Sequence, residues 1–134
     1  MKRFFKVTLA ILSVIILIAA GGVFYLTRGL KEGSTVVISG IDVSAFPDGT
    51  YTGKYDNRRW SNELSLTVKN GKITNIAIVK DVEYSNKGMS DTLFQRVLTK
   101  QNTTVDVVSE ATVTSKAYLK AIENAFAANP EGKK

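Results

Sequence analysis

From Val7 to Leu26 the chain carries no charge and is mostly apolar. A helix of about twenty residues at 1.5 Å each reaches roughly 30 Å, the thickness of a bilayer's hydrocarbon core. This run constrains the fold more than any other feature. It serves as one transmembrane helix, and the water-facing part of the 134-residue chain must build its core from the residues beyond Leu26. Lys2, Arg3 and Lys6 precede the span; Arg28 and Lys31 come after it, with Glu32. The denser basic flank predicts a cytoplasmic N-terminus, a single pass of the cell membrane and an extracytoplasmic remainder. The alternative is a signal sequence cut near Ala19–Gly22, which would leave the protein secreted; Val23 to Leu26 extend the apolar run past that point. No Cys follows the span, which excludes a lipoprotein anchor.

The expected division is an anchor over 1–27, a tether over 28–40 with Gly29 and Gly33, a domain over 41–128 and a disordered tail over 129–134. A domain of this size has a small core and must hold it by packing. The chain has neither Cys nor His, which removes disulfides, zinc–thiolate sites, Cys nucleophiles and His-based triads. No metal site and no catalytic set is predicted. Three of the 18 basic residues precede the span, leaving 15 against 12 acidic. They are dispersed, so no nucleic-acid partner is expected.

Within the domain, Val36 to Ile38 have strand character that Gly40 interrupts, and Phe46-Pro47-Asp48-Gly49 reads as a turn. Thr50 to Tyr55 alternates, with Tyr51 and Tyr55 on one face and Gly53 between them. Leu64, Leu66 and Val68 alternate with polar residues, and Asn70-Gly71 predicts a two-residue type I′ hairpin turn. In strict register Ile76 and Ile78 would fall on the wrong face, so the hairpin needs an extra residue near Thr74, a β-bulge. Ser90 is placed to cap a helix from Asp91 to Lys100, with Leu93, Phe94, Val97 and Leu98 on one face. Val105 to Val108 reads as a short strand. A last helix is expected from Ser115 to Ala128, with Tyr118, Leu119, Ile122, Ala125 and Phe126 inward and Lys116, Lys120 and Glu123 outward. The fold class is therefore α+β: a small antiparallel sheet with a hairpin and two covering helices, preceded by the N-terminal transmembrane helix.

Ahead of the last helix, Asp106 to Ser115 gathers the hydroxyls of Ser109, Thr112, Thr114 and Ser115. Helix starts present unpaired N–H groups and partial positive charge, so such a segment either caps the helix or seats a phosphate. Tyr51, Tyr55, Trp60 and Tyr84 are aromatic residues for the core or for stacking on a flat ligand. Arg58-Arg59 is a solvated loop pair or a phosphate contact.

Three stretches together resemble the FMN-binding domain family, found in respiratory electron-transfer subunits and exported bacterial redox proteins. They are DGTYTGKY (48–55), LTVKNGKITNIAIV (66–79) and VDVVSEATVTSKAYLKAIENAF (105–126). The last is similar to the family pattern Asp-x-x-Ser/Thr-Gly-Ala-Thr followed by further hydroxyls and a helix; Glu110 stands where the family has glycine. The resemblance implies FMN as cofactor, with Thr112 receiving it through a phosphoester from a flavin transferase that uses FAD and a divalent metal. It implies Ser109, Ala111, Thr114 and Ser115 as cofactor-binding neighbours. It also implies an electron carrier rather than a stand-alone enzyme, working between a membrane electron donor and an extracytoplasmic redox acceptor. Glutamate lacks glycine's backbone freedom and adds a negative charge beside the phosphate. Three readings stay open on that ground: covalent FMN, non-covalent FMN, and an interaction module of the same fold that has lost its flavin.

Overall fold

The computed structural model describes residues 1–128. The tail expected at 129–134 lies outside them. Helix α1, Lys2–Thr27, has no buried residue and is long and apolar enough to cross a membrane. A second, short helix comes at once, α2, Leu30–Ser34. The stretch read as a tether thus has structure: Gly33 is buried, and a Cβ there would meet Val113 Cγ1 at 2.5 Å. Residues 36–38 form no strand.

Three antiparallel strands make one sheet in the order β1 (Gly49–Tyr55), β2 (Asn62–Lys69) and β3 (Lys72–Lys80). Asn70 and Gly71 both have positive φ, 54° and 73°, as a type I′ turn requires. Val68 pairs with Ile73 but Thr67 pairs with Asn75, so Thr74 is the extra residue. The expected bulge is there, and it returns Ile76 to the face of Leu66. A second shift, between Glu63 and Leu64, skips Val79, which the sequence pattern did not announce.

Leu64, Leu66 and Val68 are at most 1% exposed and form the floor of the core. Over them lies α4, Thr112–Ala127, and beside them α3, Lys87–Lys100. Gly53 marks where α4 crosses β1. A Cβ there would stand 2.0 Å from the Ala121 carbonyl oxygen and 2.5 Å from the Ala125 nitrogen. Ala121 and Ala125 keep the helix side of that crossing small as well. Phe46, Tyr51 and Phe126 close one end of the core edge-to-face.

The inward residues expected on α4 are buried, and Leu93, Phe94 and Val97 of α3 are buried with them. Glu123 departs from expectation. It is 8% exposed rather than outward, and Oε1 accepts from the Gly40 N–H (2.9 Å) and the Thr103 hydroxyl (2.8 Å). These bonds, with Lys120 at 3.3 Å, satisfy a carboxylate that would otherwise be costly to bury. Helix α3 begins four residues earlier than expected, because Asn86 is its cap: Oδ1 accepts from the Met89 N–H at 3.2 Å. Ser90 lies inside the helix and bonds back to the Lys87 carbonyl. Residues 105–108 form no strand, since other groups take their backbone bonds. Arg96 Nη1 donates to the Asp106 and Val107 carbonyls, and the Val108 N–H donates to Ser115 Oγ.

Candidate functional site

Helix α4 starts three residues earlier than the sequence pattern suggested, at Thr112 itself. Its N-cap is Ala111, and no side chain makes a capping hydrogen bond. The N–H groups of a first helical turn have no partner within the helix. Here four nearby hydroxyls leave them uncapped, so the cap role that the hydroxyls first suggested is not the one they play.

Ser115 explains how the turn is held. It is fully buried; its hydroxyl accepts from the Val108 N–H at 3.1 Å and faces Met89 Sδ at 3.9 Å. The Ala111 N–H closes a tight turn on the Val108 carbonyl at 3.0 Å. Between them Glu110 has φ +65°, in the left-handed region. Glutamate therefore adopts the backbone that glycine takes freely, at a strain of about 1 kcal/mol. The carboxylate is exposed.

A cleft of about 540 Å³ opens between the starts of α3 and α4, within the usual range for cofactor sites. On one side are Asn86, Gly88, Met89 and Thr92; on the other are Val108, Ser109, Glu110, Ala111 and Thr114, with Tyr84 at the rim. Two helix N-termini thus meet across one cavity, a field that favours an anion. Of the residues expected from sequence, Ser109, Ala111 and Thr114 line the cleft. Thr112 is not among the lining residues; it stands exposed at the helix start, next in sequence to Ala111, and Ser115 is buried as a support. Asp106 falls elsewhere, on an open groove of about 620 Å³ against α3. That groove has none of the hydroxyls next to Thr112.

The four aromatic residues separate. Tyr51 and Trp60 are buried and Tyr55 packs against the core. Tyr84 is 73% exposed with φ +58° and reaches the cleft. Its neighbours hold it: the Glu83 N–H donates to the Arg59 carbonyl at 2.8 Å, and the Arg59 guanidinium lies over Trp60 (4.1 Å) and near Tyr84 (5.9 Å). Sequence reasoning missed the α3 wall of the cleft, Asn86, Gly88, Met89 and Thr92. Asn86 before a helical pattern was the signal that could have found its start.

Asp81 follows the end of β3. It accepts a hydrogen bond from the Tyr118 hydroxyl. Burial first, and the Asp81 bond and charge second, push the Tyr118 phenol well above its ordinary range. Among the described residues no cluster of acidic side chains could hold a metal ion.

An uncapped helix start, an exposed threonine on it and a cleft beside it suit a flavin phosphate with its attached ring. Residues 62–127, from β2 to the end of α4, match the model of the FMN-binding domain family. This part of the chain belongs to that family, and FMN is the cofactor it implies. No curated protein matches the chain.

Proposed function

We propose that this FMN-binding domain is a membrane-anchored, extracytoplasmic electron carrier whose flavin is attached to Thr112. The observation that carries the reading is the start of α4: Thr112 is its first residue, exposed, and the helix has no side-chain capping bond at its N-terminus. Bound FMN would supply one- and two-electron chemistry, and the protein would hold and orient it. The first-turn N–H groups and the hydroxyls of Ser109 and Thr114 would hold the phosphate. Tyr84 and Met89 offer an aromatic face and a soft sulfur for the ring.

Attachment would be a phosphoryl transfer. The Thr112 hydroxyl oxygen attacks the FMN phosphorus of FAD, the pyrophosphate bond breaks, AMP leaves, and the hydroxyl proton is released. The product is a phosphoester with no change of oxidation state. A flavin transferase would do this after export. The mature carrier would then take electrons from a membrane donor and pass them to an extracytoplasmic acceptor.

Glu110 favours a second reading. Its carboxylate lines the same cleft, and a like charge about 4 Å from a phosphate costs about 1 kcal/mol in water and more in a drier site. In that case FMN is held without the ester. Expression with a flavin transferase, followed by acid precipitation, separates the two: an ester-linked flavin stays with the protein, and a non-covalent one is left in solution. A preparation with no flavin in either fraction would overturn both.

A further inference from the structure

The cleft is tied to the end of the membrane helix on both of its sides. On the Tyr84 side, Tyr25 Oη donates to Glu83 Oε2 at 3.3 Å, and Arg59 Nε donates to the Leu26 carbonyl at 3.0 Å. Tyr25 and Leu26 close the apolar run, so they belong at the headgroup level. On the α4 side, Gly33 of α2 packs against Val113, and Lys116 Nζ donates to the Ser34 carbonyl at 2.8 Å. Asn57 joins the two by donating to the Gly29 carbonyl at 2.9 Å. Five residues lie between Thr27 and Gly33, and the six steps cap their separation at about 20 Å.

The surface around these contacts has the chemistry of a bilayer interface. Arg28, Lys31 and Arg58 are exposed, Arg59 is half-buried, and Tyr84 projects beside them. Glu32, Asp56 and Glu83 are the acids there, and Glu83 is engaged by Tyr25. Arginine matches phosphate geometry, and tyrosine favours the boundary between apolar core and water.

We infer that this face, with Arg28, Arg58 and Tyr84 at its centre, docks on the phosphates of phospholipid headgroups and holds the cleft against the membrane surface. The inference builds on the membrane-anchored reading above and needs no flavin. The far end of the molecule is the hairpin turn. Strand β2 leads from Asn62, beside Trp60, to Lys69, a run of roughly 23 Å at 3.3 Å per residue. The carrier is thereby fixed in orientation rather than swinging on a leash, and a partner held in the membrane reaches the cleft by lateral diffusion.

The chain has no Cys, so a single spin label can be placed at will. We would reconstitute the full chain, with Ser85→Cys or Lys72→Cys, into phosphatidylcholine vesicles containing a nickel-chelating headgroup lipid. Label relaxation at 85 should be enhanced several-fold over that at 72. Arg28→Ala combined with Arg58→Ala, which removes the two guanidinium groups at the centre of the face, should shrink the difference. Tyr25→Phe alone, which leaves every domain side chain in place, should shrink it partly, and unchanged Trp60 emission would show that the domain is still folded. Equal relaxation at 85 and 72 in the otherwise unaltered chain would overturn the inference, as would a difference that survives the double variant. Neither result depends on whether Thr112 carries FMN.

Discussion

Gly53 and Glu110 illustrate opposite relations between a residue type and its backbone. Gly53 is required by what crosses it: the α4 backbone leaves no room for a Cβ. Gly53→Ala should therefore lower unfolding stability by about 3 kcal/mol or more, measured by urea denaturation, because backbone cannot yield as a flexible side chain can. Glu110 holds a glycine-like φ of +65° without being glycine. Relief of strain and a floppier unfolded chain oppose each other, so Glu110→Gly should be neutral or stabilising by up to about 1 kcal/mol. It should leave the loop in place while removing the negative charge, and flavin incorporation should rise or stay equal. A fall in incorporation would show that the carboxylate assists. The motif around Gly53 was legible in sequence as a pattern, but its meaning was not. Asp48 accepts from the Asn70 N–H at 2.8 Å and Tyr51 bonds the Pro47 carbonyl at 2.7 Å. That Asp-Gly-x-Tyr-x-Gly stretch holds the hairpin turn and admits α4, and none of its residues lines the cleft.

Among the elements, periodicity read the hairpin well because a period of two leaves few registers, and one unpaired residue at Thr74 was enough to reconcile both faces. Helix starts read less well. Hydroxyls looked like caps at Ser90 and before Ser115, yet Asn86 caps α3 and nothing caps α4. The α4 start depends on tertiary partners: Ser115 is drawn inward by the Val108 N–H and Met89. Residues 105–108 had strand composition but lie beside Arg96, which takes their carbonyls. Two predictions belong here. Asn86→Ala should cost about 1 kcal/mol of stability, the usual worth of a side-chain cap. The Tyr118–Asp81 contact should make the domain sensitive to base. The folded phenol titrates above its unfolded value of about 10. Its contribution is complete below that pH and is lost as pH rises toward the folded value. Thermal melts above pH 10 should fall more steeply for the wild type than for Tyr118→Phe; parallel pH profiles would contradict this.

For the molecule as a whole, the apolar run and the alternating strands made the long apolar helix and the α+β class readable. The cleft was not readable, because it is formed between two helix starts that are distant in sequence. Its α3 wall and its α4 wall meet through packing, Met89 against Ser115 and Phe94 against Tyr118, and the short α2 packs that assembly against the residues that follow α1. The same layout accounts for the small core. Burial is concentrated on one sheet face and α4, so a cofactor bound between α3 and α4 should add stability by mass action. Loading with FMN should raise the melting temperature of the domain.

Whether Thr112 carries the flavin is decided by the intact mass of the chain, prepared with a flavin transferase and compared with that of Thr112→Ala. The expected result is a single FMN added to the wild type through loss of AMP from FAD, with none on the variant. An equal mass increment on both, or a wild type without any bound or released flavin, would contradict it.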